Sequence, residues 1–137
     1  MSSVLKNGFE CKVSSVFNRD NQQFGKKYMF DGSDETCWNS AQGSPQFVSL
    51  QLPQEVTIER IVIQFQGGFV GQDCMFSSTR ENGEKNDDVP FYPEDVNTLQ
   101  VFKLPSGVIA KKFSVIFNRS TDFFGRIVIY KLDAFSG

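Results

Sequence analysis

The sequence predicts an all-β sandwich, and three observations predict it. Apolar residues recur at period two along much of the chain, helix signals are scarce, and turn-forming clusters separate the apolar runs at short intervals. The runs are residues 11–17, 47–52, 57–65, 99–104, 112–117 and 126–134. All are rich in Val, Ile and Phe, the branched and aromatic types that suit a half-buried pleated surface. Asp31-Gly32-Ser33-Asp34 turns the chain between the first run and the second, and Gln42-Gly43-Ser44-Pro45 leads into the second. Gln66-Gly67-Gly68 follows the third run, and Pro105-Ser106-Gly107 divides the fourth from the fifth. Residues 80–95 hold six acidic residues, Asn82-Gly83 and two prolines, and read as one long solvated loop.

A length of 137 residues is the size of one domain, so residues 1–137 are read as a single unit. Apolar residues make up 39% of the chain and Phe occurs 15 times, enough to bury a core without staples. The formal charge of −2 gives no overall field toward nucleic acid or anionic membrane, so an electrostatic partner must meet a local patch. Runs such as Ile61-Val62-Ile63 fall far short of the ~20 residues that span a bilayer. No apolar run follows Met1-Ser2-Ser3-Val4-Leu5-Lys6, so no secretory signal is expected. Cys11, Cys37 and Cys74 are odd in number and lack CxxC spacing, which fits reduced thiols better than disulfides or zinc. In such a chain the glycosylation sequon Asn118-Arg119-Ser120 is read as accidental.

One internal similarity stands out. Phe17-Asn18-Arg19 and Phe117-Asn118-Arg119 lie 100 positions apart, and each is followed at the same spacing by Phe-Gly and a basic residue, Lys26 or Arg126. Each copy reads as a polar loop closed by a Phe anchor and a Gly able to take positive φ. If the first and last strands pair antiparallel, both loops emerge at the end opposite the termini. That end gathers Arg19, Arg119, Lys26, Lys27 and Arg126 near Asn18, Asn21 and Gln22, with Asp122 and Phe123 on the second loop, a site for a carboxylate, phosphate or acidic peptide. The other reading is that the two copies share only turn chemistry.

Histidine is absent, so no Ser/His/Asp or Cys/His constellation exists within the chain. No P-loop or GxGxxG occurs, and the carboxylates cluster in a loop that would not hold a glycosidase separation. The chain is read as a binding protein and not an enzyme.

The residues also carry a resemblance. Val13-Ser14-Ser15-Val16, Phe30-Asp31-Gly32, Glu35-Thr36-Cys37-Trp38-Asn39-Ser40 and Phe47-Val48-Ser49-Leu50-Gln51-Leu52 resemble the N-terminal half of a coagulation factor V/VIII C-type, or discoidin, domain. The resemblance implies a jelly-roll β-sandwich of the galactose-binding-like class, with Trp38 plugging one end as a core residue. Gln23-Phe24-Gly25-Lys26-Lys27, Gln64-Phe65-Gln66-Gly67-Gly68-Phe69, Phe91-Tyr92-Pro93-Glu94-Asp95 and Thr121-Asp122-Phe123-Phe124-Gly125-Arg126 extend it over nearly the whole chain. They resemble a small intracellular branch of the family whose members associate with orphan nuclear receptors of subfamily 2 group C.

That resemblance implies a repressor that binds a nuclear receptor, hinders its DNA binding and transactivation, and works in the nucleus or cytoplasm. Secreted discoidin domains close with a cysteine pair near the termini, whereas this chain ends Leu132-Asp133-Ala134-Phe135-Ser136-Gly137. The departure fits a reducing compartment and weakens any carry-over of membrane binding, which in secreted members uses apolar spikes on the loops. Direct nucleic-acid binding is not expected from the acidic balance.

Related jelly rolls often hold a structural Ca²⁺ in the turn before the Trp. Here Asp31, Asp34 and Thr36 would supply hard oxygen ligands, with Asp133 as a further candidate, or the turn holds no ion. A second class of function is binding of a glycan or other small polar ligand, through Asn18, Arg19, Asn39, Phe69, Arg119 and Phe123.

Overall fold

In the computed structural model, which describes residues 2–136, strands account for most of the chain. They are β1 (Ser2–Ser3), β2 (Glu10–Val13), β3 (Trp38–Asn39), β4 (Gln46–Phe65), β5 (Gly71–Thr79), β6 (Val89–Phe91), β7 (Gln100–Ser120) and β8 (Val128–Ser136). Between β2 and β3 lie two 3-10 turns, Phe17–Arg19 and Lys26–Met29, and a four-residue helix α1 (Asn21–Phe24). No helix among the described residues is long and apolar enough to cross a membrane.

The long strands β4 and β7 each serve both layers. The first part of β4 pairs with β2 and with residues 112–117 of β7, which in turn pair with β5. The last part of β4, from Arg60 to Phe65, pairs with β8 and with residues 100–103 of β7. The register slips between Gln51 and Val56 and again between Ile58 and Arg60. Pro53 lies in the first slip, and Ser106 (φ 58°) and Gly107 (φ 68°) lie opposite the second. Proline removes a ladder donor and left-handed residues bend a strand, so both long strands turn from one sheet into the other at these bulges. The runs expected as separate strands, 47–52 with 57–65 and 99–104 with 112–117, are therefore halves of two continuous ones.

The resulting jelly-roll sandwich encloses a core of alternate residues from both sheets, among them Leu50, Phe76, Phe113 and Val115 from one and Ile61, Ile63, Leu132 and Ala134 from the other. Phe65 and Phe117 meet edge to face with ring centroids 5.7 Å apart, joining the sheets directly. Trp38 is fully buried, as expected, and its Nε1 donates to Ser15 O at 2.9 Å.

Three expectations need correction. Residues 80–95 are not one solvated loop, because β6 pairs with β5 and Phe91 is buried against the core. The strand β5 gave no clear alternation, since its inward positions are Cys74, Phe76 and Ser78 and Asp73 breaks the run with φ 49°. The first expected strand, 11–17, stops at Val13 and pairs with β4; the partner of β8 near the N-terminus is instead the short β1.

Candidate functional site

The polar loops do meet at one end, by a route different from the expected one. Val13 pairs with Val48 near the start of β4, Gln46 pairs with Phe117, and Gly71 pairs with Ser120 at the end of β7. The chain thus leaves β2 and β7 on either side of the start of β4. On the other layer, Trp38 and Asn39 pair with Ile129 and Val128 at the start of β8. The paired Ser2 and Ser136 sit at the far end of β8, roughly 30 Å away at ~3.3 Å per strand residue.

Buried polar groups fix this end. Gln46 Oε1 accepts from Ser14 Oγ at 2.5 Å and Ser15 Oγ at 2.7 Å. Its Nε2 donates to Ala41 O at 3.1 Å and Gly43 O at 2.9 Å, so the buried amide is fully used. Ser40 Oγ accepts from Ile127 N at 2.8 Å and locks the entry to β8. These bonds give the Ser-Ser and Trp-x-Ser elements of the resemblance their physical role: they tie three chain segments beneath the loops.

Arg126 is the centre of the surface above. Its guanidinium lies 4.1 Å from the centroid of Phe17 and 5.1 Å from that of Phe69, and its Nη2 donates to Asn39 Oδ1 at 3.2 Å. Its Nε is buried and has no hydrogen-bond partner among the described residues. Two aromatic rings flank the cation and shield it from water, which strengthens any further polar contact it makes. Asp122 shapes the loop beneath: its Oδ2 accepts from Arg126 N at 3.0 Å and its carbonyl from Gly125 N at 3.0 Å. At the tip of the same loop Phe123 is 93% exposed and Phe124 57% exposed, edge to face on each other. The second loop thus carries exposed apolar side chains at its tip, Phe123 as expected and Phe124 beside it.

Of the expected site residues, Asn39, Phe69, Asp122 and Arg126 come together here, and Phe123 stands at the exposed tip of the same loop. Asn18 and Arg19 lie beside them in the turn that carries Phe17, both in left-handed backbone (φ 53° and 55°) and both exposed. Asn21 and Gln22 are exposed on α1, which Asp20 caps by accepting from Gln22 N and Gln23 N at 3.1 Å. Arg119 does not join the cluster. It extends from β7 and its Nε donates to Asp73 Oδ2 at 2.6 Å, while Asn118 Nδ2 donates to Asp73 O at 2.7 Å. Lys26 also turns away, with Nζ donating to Cys11 O at 2.6 Å on the edge of β2.

The twin copies therefore differ in structure: the first is a 3-10 turn, the second a strand end. Phe24 packs edge to face on Phe17 at 5.5 Å, whereas its counterpart Phe124 is exposed. Phe17 as a platform for Arg126, and Asp73 as the partner of Arg119, were missed. The repeated Phe signalled the first, but only as an anchor for its own loop.

The turn before Trp38 does not fit a calcium ion. Asp31 Oδ1 accepts from Ser33 N at 3.0 Å and Oδ2 from Thr36 Oγ1 at 2.5 Å, so two of the expected ligands satisfy each other. The Thr36 hydroxyl and then the Ser33 amide hold the Asp31 carboxyl below its ordinary pKa. Asp34 pairs with Lys131 at 2.8 Å, and Asp133 accepts from Ser3 Oγ at 2.6 Å. No group of three or more His, Cys, Asp or Glu able to hold a metal occurs among the described residues. Addition of Ca²⁺ to chelator-stripped protein is expected to leave the melting temperature unchanged; a concentration-dependent rise would restore the ion.

The thiols offer no reactive centre. Burial pushes Cys11 up to about 11 against the opposing pull of Lys26, and pushes Cys74 up to about 12 with help from Asp73. Burial also raises Cys37, although Asn39 Nδ2 donates to its Sγ at 3.2 Å.

No protein-family model matches the chain. Among solved structures, a carbohydrate-binding module from Clostridium perfringens in complex with GalNAc-β-1,3-galactose superposes with TM-score 0.80 at 14% identity, covering 98% of this chain and all of that one (100%). The family 32 carbohydrate-binding module of Clostridium perfringens NanJ, in complex with galactose, gives 0.80 at 16% identity over 97% of each chain. An F5/8 type C domain from Bacteroides fragilis gives 0.80 at 15% identity, over 97% of this chain and 94% of that one. These likenesses establish the discoidin-type, galactose-binding-like fold.

The sequence relatives are far closer. The Nuclear receptor 2C2-associated protein of Danio rerio is 47% identical over 131 residues, 96% of this chain and 93% of its own. That of Xenopus tropicalis is 50% identical over 133 residues, 97% of each. The human protein of the same name is 46% identical over 121 residues, 88% of this chain and 86% of its own. Identity at this level over nearly the whole of both chains places this one in the Nuclear receptor 2C2-associated protein family.

Proposed function

We propose that the chain is a non-enzymatic binding module of the nucleus or cytoplasm that docks on a nuclear receptor through the loop-bearing end of its sandwich, hindering the receptor's contact with DNA and its transactivation. The observation that carries this reading is the Phe123–Phe124 pair, exposed to 93% and 57% beside the aromatic-clamped Arg126. Aromatic and arginine side chains dominate binding hot spots, and exposed rings on a loop held rigid beneath are ready to be buried without much ordering cost. The partner class comes from the names of the relatives. Absence of histidine and of reactive thiols supports binding over catalysis.

The test is recovery of nuclear receptor 2C2 by the immobilised chain, compared with a Phe123→Ala/Phe124→Ala/Arg19→Ala variant. These side chains are exposed, so the variant is expected to melt with the wild type and to retain less than about a tenth of the receptor, a loss of ~1.4 kcal/mol or more. Undiminished recovery by the folded variant removes the loop end as the docking surface.

A second reading has its own observation. Arg126, bonded to the buried Asn39, lies between the rings of Phe17 and Phe69, with the exposed Phe123 on the same loop, an aromatic and polar arrangement suited to a glycan or other small polar ligand. Saturable binding on a glycan array that Arg126→Lys abolishes supports it, and a flat array disposes of it.

A further inference from the structure

We propose that a groove beside β2, separate from the loop end, is a docking site for an acidic peptide segment that carries an apolar side chain. The groove encloses about 790 Å³ and is bounded by Lys12, Lys26, Lys27 and Lys112, with Phe9 and Phe30 at one side. All four lysines are exposed. Sheet register places two of them on one outer face: Lys12 pairs with Ser49 and Lys112 with Gln51, on opposite sides of β4. Their Cα atoms stand roughly 12 Å apart by strand spacing and rise. Lys26 and Lys27 reach the same groove from the turn that follows α1, Lys26 held there by its bond to Cys11 O and Lys27 over the Tyr28 ring at 5.1 Å.

The groove gathers four lysines with little carboxylate among them, whereas several basic residues elsewhere are ion-paired. Arg80, Lys85, Lys111, Arg119 and Lys131 each have a carboxylate within ion-pair distance. None of the four groove lysines has one among the described residues, although acidic residues outnumber basic ones, 16 to 14. The groove holds a single carboxylate, Glu10. Like charges gathered on one face repel each other, and an incoming anion relieves that repulsion as well as pairing with the lysines.

The occupant is a peptide because the groove is mixed in character. Phe9 and Phe30 lie with ring centroids 4.7 Å apart and are only partly buried against the core, offering an apolar seat next to the lysines. A segment alternating acidic and apolar side chains matches both features. A nucleic acid matches neither well. The rings are tilted 60° to each other and packed partly against the core instead of presenting an open stacking platform, and the overall charge of −2 opposes a long polyanion.

The probe is a fluorescein-labelled peptide of repeated Glu-Glu-Leu, followed by fluorescence anisotropy at low and at physiological salt. An oligo-dT of equal charge and inorganic phosphate serve as competitors. The wild-type chain is expected to bind the peptide saturably, more weakly as salt rises. Lys12→Glu/Lys112→Glu, both at exposed positions on the sheet face, is expected to weaken binding at least about tenfold with an unchanged melting curve. Phe123→Ala/Phe124→Ala is expected to bind the peptide like wild type, so the groove stands or falls apart from the loop end. Absence of saturable binding, equal binding by the charge-reversed variant, or displacement by oligo-dT or phosphate at lower concentration than unlabelled peptide would each overturn the proposal.

Discussion

Trp38→Ala is expected to lower stability by about 3–5 kcal/mol, the range for emptying a large buried aromatic site, against the ~5–15 kcal/mol available to a domain. Trp38 has no exposed surface and sits on β3, which pairs with the start of β8. Its indole Nε1 donates to Ser15 O, the same residue whose hydroxyl donates to Gln46 Oε1 and accepts from Ala41 N at 3.0 Å. Removing the ring therefore opens a cavity and unties the segment that positions the Phe17 turn. Because Trp38 is the chain's one tryptophan, the variant is followed by circular dichroism, with wild-type fluorescence as an independent check. Trp38→Phe keeps most of the volume and loses the hydrogen bond, so its cost separates packing from bonding. A Trp38→Ala chain that melts with the wild type would show that the ring is not a core element.

The fold was legible in the sequence where one face of a strand is buried and the other is not. In β8, buried residues alternate with half-buried ones from Lys131 to Phe135, and period-two reading found it. Reading failed where chemistry and burial part company. Ser78 is buried in β5 because Asn86 Nδ2 donates to its Oγ at 3.0 Å, a bond from a residue eight positions on that composition does not reveal. The short β6 escaped because acidic residues and prolines surround its one core residue, Phe91.

The site was legible to a similar depth. Residue types named Arg126, Asn39 and Phe69, and the twin Phe-Asn-Arg loops pointed to the end of the sandwich on which they sit. Partner choice among the basic residues was not legible. Whether Arg119 meets Asp73 or a ligand depends on a single left-handed residue that turns the Asp73 carboxylate toward β7, and Lys26 is set by the direction of one 3-10 turn.

Gly125→Ala is expected to cost about 2–6 kcal/mol, the sum of left-handed strain and close packing at ~1–3 kcal/mol each, and to damage the loop end as well. Gly125 has φ 84°, and a Cβ there would stand 2.8 Å from both the carbonyl carbon and the oxygen of Gly43. Neither backbone is free to retreat, because Gly43 N donates to Phe124 O at 2.8 Å and Gly125 N donates to Asp122 O. The substitution must therefore push the Phe123–Phe124 tip and Arg126 away from the Gly43 segment. Gly43→Ala is the control: its φ is 107°, yet a Cβ there meets nothing within 4 Å, so strain acts alone and the loop stays in place. Thermal melts of the two variants and their recovery of the receptor distinguish the effects. Gly125→Ala is expected to melt lower than Gly43→Ala and to lose receptor, while Gly43→Ala keeps it. Equal melting of the two would mean that the close approach of the two glycines contributes nothing. A Gly125→Ala chain that melts low but still captures receptor would separate loop geometry from docking.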